Sequence, residues 1–353
     1  MNRQDRLKLF EEKLQTSIGV IDGGMGTSIQ SLKLSDTDFR WQQFANWPKP
    51  LIGNNDLLSL TQPEVIKKIH HEFLNAGADL IETNTFNSTS ISQSDYGLQE
   101  FAPEIAAAGA RIARETADEF ESNNKGRLAM VAGSLGPLSK TLSMSPKVED
   151  PGFREVNFDQ VVASYFDQAS AMLPFVDFLM IETIFDTLNA KAAIIAVKKA
   201  MDNAGEQVPL IICGTITDGS GRTLSGQTTE AFWISISHAN PWAVGLNCAL
   251  GAKQMRPHIA DLSRIADCRI IAFPNAGLPN AFGEYDETPA TTAGHLSEWA
   301  KDGLVNLVGG CCGTTSAHIE VIVQSVVGVT ARSVLEQPEA LRLSGLEPFI
   351  LRG

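Results

Sequence analysis

Apolar runs of four or five residues recur along this chain, and each breaks off at a polar or glycine-rich cluster. Ile18-Gly19-Val20-Ile21 stops at Asp22-Gly23-Gly24-Met25-Gly26-Thr27, and Ala78-Asp79-Leu80-Ile81 stops at Glu82-Thr83-Asn84. Leu128-Ala129-Met130-Val131-Ala132 runs into Gly133-Ser134-Leu135-Gly136-Pro137, Phe178-Leu179-Met180-Ile181 into Glu182-Thr183, and Leu210-Ile211-Ile212-Cys213 into Gly214-Thr215. Ala243-Val244-Gly245-Leu246 precedes Asn247-Cys248, and Arg269-Ile270-Ile271-Ala272-Phe273 precedes Pro274-Asn275-Ala276-Gly277. The last run, Leu304-Val305-Asn306-Leu307-Val308, leads into Gly309-Gly310-Cys311-Cys312-Gly313-Thr314-Thr315. Short, nearly unbroken apolar runs read as strands buried on both faces, as in parallel sheets.

The stretches between them follow helical spacing. Thr61 reads as an N-cap, with Pro63 in the first turn, Glu64 three residues on and Gly77 as the stop; Val65, Ile69 and Phe73 form the buried stripe. Leu188, Ala192 and Ile195 mark another helix over residues 186–201, and Leu7, Phe10 and Leu14 a short one over 6–14 that covers one end of the core. Eight strand–helix units favour a closed α/β (β/α)8 TIM barrel over an open doubly wound sheet. All strand ends then open on one mouth. Asp22, Glu82, Ser134, Glu182, Thr215, Asn247, Cys248, Asn275, Cys311 and Cys312 would share that rim, where barrel enzymes keep their chemistry. Two stretches fall outside the alternation. Residues 28–60, with Phe39, Trp41, Phe44 and Trp47, read as a long inserted loop with its own aromatic cluster. Residues 331–353 read as an extension or linker, leaving the barrel to residues 1–330.

A length of 353 residues with 43% hydrophobic content supports a core of that size. The formal charge of -13 disfavours nucleic acid and anionic membrane surfaces as partners. Five cysteines without framework spacing point to a reducing compartment. No secretory core follows the charged N-terminus and no run is long enough to span a membrane, so a cytoplasmic protein is expected.

Cysteine placement narrows the chemistry. Neighbouring side chains on an extended segment point apart and a vicinal disulfide is strained, so Cys311-Cys312 between glycines suits a thiolate-bound metal. Cys248 ends another strand on the same rim, and the three would form an open zinc site built from three cysteines. Two buried thiols in a tight turn are the plainer alternative. Cys213 lies inside an apolar run and Cys268 at a strand start, so neither is expected to be a ligand. Three thiolates make an electron-rich centre suited to a fourth, substrate thiolate that stays nucleophilic, which favours thiol alkylation. Asp22 and Glu182 could hold an ammonium group, with helix capping or a rim salt bridge as the alternative. Gly133 and Ser134 offer backbone N–H groups, at an expected helix start, for a carboxylate. The histidines show no metal spacing.

These residues resemble the homocysteine S-methyltransferase family, and within it the homocysteine-binding barrel of the cobalamin-dependent methionine synthases. The likeness runs through Asp22-Gly23-Gly24-Met25-Gly26-Thr27, Gly53-Asn54-Asn55-Asp56, Glu82-Thr83-Asn84-Thr85-Phe86-Asn87-Ser88-Thr89, Gly245-Leu246-Asn247-Cys248 and Gly309-Gly310-Cys311-Cys312-Gly313-Thr314. Asn54-Asn55-Asp56 and Pro274-Asn275-Ala276-Gly277-Leu278-Pro279 look like the cobalamin-dependent branch rather than the betaine-using one. The resemblance implies zinc on Cys248, Cys311 and Cys312 with homocysteine sulfur as the fourth ligand. It puts the substrate ammonium on Asp22 and Glu182, its carboxylate on the backbone around Gly133 and Ser134, and the Asn275 amide near the metal when substrate is absent. The methyl group would come from methylcobalamin carried by a separate module or chain, since the chain has no Asp-x-His corrinoid loop. The chain would then be one subunit of a divided enzyme or a piece of a longer one. Free donors, betaine or S-methylmethionine, and a zinc-stabilised non-catalytic subunit remain the alternatives.

Overall fold

All eight apolar runs form strands in the computed structural model, which describes residues 1–351. They are β1 (Gly19–Val20), β2 (Leu80–Glu82), β3 (Met130–Leu135), β4 (Phe178–Ile184), β5 (Leu210–Gly214), β6 (Ala243–Gly251), β7 (Arg269–Asn275) and β8 (Leu307–Val308). Each pairs in parallel with its neighbours in sequence, β8 pairs back to β1, and an Ile21–Leu80 bridge joins β1 to β2. The result is a (β/α)8 barrel.

Strand periodicity decides what fills it. Leu80, Met130, Ala132, Phe178, Met180, Ile211, Cys213, Ala243, Ile271, Phe273 and Leu307 form an inner core separate from the larger shell between strands and helices. Two residues beyond Leu80, Ala132 and Met180 on the same inward faces stand Glu82, Ser134 and Glu182. The polar strand ends are thus the top layer of the barrel filling.

The helix Arg3–Leu14 closes the opposite end as expected. Phe10 stacks on Trp242 at 6.1 Å and meets Phe178 edge-on. Arg6 and Arg114 both bind the buried Asp177, so neither arginine nor aspartate is left as a lone buried charge.

Three readings of local structure need correction. Thr61 ends a short helix, Leu58–Thr61, and its hydroxyl bonds back to the Leu57 carbonyl; Gln62 precedes the helix Pro63–Ala76, whose buried face adds Ile66 to Ile69 and Phe73 while Val65 is half-buried. On the helix Thr187–Ala204, Leu188 and Ile195 face solvent, and the packed face is made of small residues such as Ala192, Ala193 and Ala196 with Ile194 and Val197. The stretch read as a long loop contains the helices Met25–Ser31 and Asp36–Phe44. Asp36 secures it by accepting from Arg40 and from the Leu51 and Ile52 amides. The aromatic cluster there is Phe44, Trp47 and Phe101, with Trp41 turned out to solvent. Within the C-terminal stretch lies an antiparallel hairpin, β9 (Leu341–Ser344) and β10 (Pro348–Leu351), laid against the helix Thr229–Ile236 through a Ser344 hydroxyl bond to the Ala231 carbonyl. Among the described residues, no helix is long and apolar enough to cross a membrane.

Candidate functional site

The double cysteine follows β8 on a loop pinned from both sides. Gly310 N–H donates to the Asp22 carbonyl, Cys311 N–H to the Pro274 carbonyl, Cys312 N–H to Asn275 Oδ1 and Gly313 N–H to Thr27 Oγ1. The glycines before the cysteines are required by close approach rather than by unusual dihedrals. A Cβ at Gly309 would sit 2.2 Å from Ile21 Cγ2, and one at Gly310 would sit 2.1 Å from Thr314 Oγ1. Cys248 arrives from β6 by a different device. The register between β6 and β7 slips between Asn247 and Gly251, and Cys248 and Ala249 take φ of 59° and 56°. Such left-handed backbone in non-glycine residues is costly and re-aims the side chain off the strand.

The three sulfurs meet. Their Sγ atoms lie within 4.8 Å of one another, with Cys248 and Cys312 3.8 Å apart, and among the described residues they form the one cluster of three metal-type donors. Tetrahedral zinc with sulfurs at about 2.3 Å holds them about 3.8 Å apart, so the spacing fits a zinc ion. The electrostatics agree. Hydrogen bonds from Cys248 and Cys311 pull the Cys312 thiol down to about 3, while bonding to the other two sulfurs pushes Cys311 well above the ordinary thiol range. Unaided, the cluster accommodates one thiolate; a divalent cation is what would let all three ionise. Cys213 is buried in the inner core and Cys268 directly precedes β7, so both stay out of the cluster as expected.

Opposite the sulfurs stand carboxylates. A cavity of about 370 Å³ runs from Cys248, Cys311 and Cys312 to Glu82, Ser134 and Glu182, with Asn55, Asp56, Phe86 and Tyr285 in its walls. Glu182 Oε1 accepts from the Ser134 hydroxyl, and Oε2 accepts from Asn247 Nδ2 at 3.1 Å and Thr183 Oγ1 at 3.4 Å. Burial raises Glu182 to about 7 against those bonds. Asp22 Oδ2 accepts from the Glu82 amide at 3.0 Å, and burial followed by the nearby Glu182 lifts Asp22 well above the carboxylate range. Neither Asp22 nor Glu182 caps a helix or meets a basic side chain among the described residues. Asn275 is buried and accepts from Cys312, beside the sulfur cluster.

The Gly133–Ser134 expectation needs correcting. Both residues lie inside β3, and the next helix begins only at Phe158. The Ser134 amide is engaged by Thr83 Oγ1 and a Cβ on Gly133 would point at Leu179 and Val176, so no helix N-terminus is presented there.

Two residues that the sequence placed on the rim without a role belong to the site. Asn247, fully buried, donates to Glu182 and Thr183 Oγ1 and accepts the Thr183 amide, holding Thr183 at φ 54° beside the first cysteine. Glu82 stands between Asp22 and Ser134. A signal for it existed, since Ile81-Glu82-Thr83 repeats the Ile181-Glu182-Thr183 ending of β4.

A homocysteine S-methyltransferase family model matches residues 19–326, which takes in every strand of the barrel and all three cysteines. The chain belongs to the homocysteine S-methyltransferase family. It is therefore a methyltransferase of the class that acts on homocysteine sulfur. Solved structures agree on the fold. The oxidized form of the homocysteine methyltransferase MmuM from Escherichia coli superposes with a TM-score of 0.69 at 19% identity, over 92% of this chain and 99% of that one. Its metallated form gives 0.68 at 20% identity, over 90% and 98%.

Proposed function

We propose that this homocysteine S-methyltransferase holds zinc on Cys248, Cys311 and Cys312, takes homocysteine sulfur as the fourth ligand and passes it a methyl group to form methionine. The observation that carries this reading is the three-sulfur cluster at one end of a small cavity whose other end is acidic. Zinc bound there would supply Lewis acidity that lowers the thiol pKa while leaving the sulfur nucleophilic.

The chain's own residues do the rest. Asp22 and Glu182 receive the substrate ammonium, and Ser134 and Asn247 hold Glu182 in place for it through their hydrogen bonds to its two oxygens. Asn275 steadies the cysteine loop through the Cys312 amide. The thiol proton leaves to solvent, a new S–CH3 bond forms and the donor keeps the electron pair of the bond that breaks.

The donor in this reading is methylcobalamin on a partner module or chain, in keeping with Asn54-Asn55-Asp56 and Pro274-Asn275-Ala276-Gly277. Incubating the zinc-loaded protein and homocysteine with methylcobalamin, betaine or S-methylmethionine tests it. Methionine from methylcobalamin alone, slow because a free donor must find the site by diffusion, is the expected result. Turnover with betaine or S-methylmethionine would replace this donor.

A further inference from the structure

We infer that Glu82 forms a third side of the ammonium subsite and is the residue by which the cavity demands a free α-amino group; this rests on the homocysteine reading above. Glu82 ends β2 and faces inward, with Asp22 just past the end of β1 to one side and Ser134 and Glu182 on β3 and β4 to the other. Three oxygens of its neighbours already accept hydrogen bonds: Asp22 Oδ2 from the Glu82 amide, Glu182 Oε1 from Ser134, and Glu182 Oε2 from Asn247 and Thr183. Glu82 Oε1 is buried and has no hydrogen-bond partner. A buried acceptor left unpaired is a cost the fold bears, and it is relieved when a ligand supplies the donor.

That donor must bring positive charge. Burial, then Glu182, then Asp22 hold the Glu82 carboxyl well above its ordinary range, and among the described residues no Lys, Arg or His lines the cavity. A metal ion does not suit the three acids, because among the described residues their oxygens do not gather within 4.8 Å as the sulfurs do. A primary ammonium does suit them. Its three N–H donors diverge and reach separate oxygens at about 2.7–2.9 Å. N-acylation, or loss of the amino group, would leave Glu82 unpaired again. Discrimination is strongest where the wrong ligand strands a buried polar group.

Calorimetric titration of the zinc-loaded protein with L-homocysteine and with its deamino analogue, 4-sulfanylbutanoate, tests the assignment. Wild type should prefer homocysteine. Glu82→Gln should weaken homocysteine about ten- to a hundredfold while leaving the analogue within about twofold, so that the preference collapses. Glu82→Asp, which keeps the charge on a shorter arm, should restore part of it. Wild type that binds both thiols equally, or Glu82→Gln that shifts both ligands alike or neither, overturns the inference. Wild type with no affinity for homocysteine overturns the parent reading, and this inference with it.

Discussion

Glu182 is tied to the cysteine centre by a single residue, since Asn247 bonds its carboxylate and directly precedes Cys248. Glu182→Gln should therefore weaken homocysteine about ten- to a hundredfold, the loss of one charged hydrogen bond, while zinc content measured on the same preparation stays at one per chain. Unchanged affinity would return Glu182 to a structural role. Cys311→Ala should abolish stoichiometric zinc; retained metal would mean the sulfurs are not its ligands. Away from the metal, Asp56 gives a cleaner titration. It is buried, accepts from the Asn87 amide and the Ser88 hydroxyl, and burial raises it from 3.8 to about 6. For an acid with a raised folded-state pKa, the associated stability is complete below 3.8 and is lost as pH climbs through about 6. Asp56→Asn removes that loss, so the variant should gain on wild type by up to about 3 kcal/mol between pH 4 and 7 in denaturant titrations. Parallel curves for the two proteins would show that Asp56 carries no such linkage.

At the level of elements, the strands were legible because parallel strands are apolar on both faces, and closing eight of them into a barrel put their polar C-terminal ends on one rim. What the sequence hid were features with no hydrophobic signature. The packed face of Thr187–Ala204 is mostly alanine, so Leu188 and Ile195 drew the helical stripe onto the exposed side. Asp36 organises its segment through hydrogen bonds to residues four to sixteen positions away, which no periodicity records. The Cys248 bulge depends on left-handed backbone at Cys248 and Ala249, residue types that do not advertise it. The glycine patterns were visible but their cause was not. Gly245 on β6 shows that cause most sharply, since a Cβ there would lie 1.9 Å from the Ile271 carbonyl oxygen on β7. Gly245→Ala should cost about 1–3 kcal/mol or more by forcing those strands apart, read as a lower denaturation midpoint and as loss of zinc by the displaced Cys248. A fully stable, zinc-replete variant would contradict the rigidity assigned to that strand pair.

For the molecule as a whole, the barrel carries its own folding free energy in an inner core and an outer shell, and the sulfur cluster sits on top of it. Chelation should leave the melting temperature within a few degrees while removing homocysteine binding, because the metal joins loops of an already packed fold. A collapse of the melting temperature would instead favour a zinc-stabilised subunit without catalytic use of the metal. The central claim, that zinc on these cysteines takes up homocysteine as a thiolate, is tested most directly by calorimetric titration of homocysteine near neutral pH in buffers of differing ionisation enthalpy, on zinc-loaded and chelated protein. Binding by the loaded form alone, with net release of protons to the buffer, is the predicted result; equal binding by the chelated form, or binding without proton release, would contradict it.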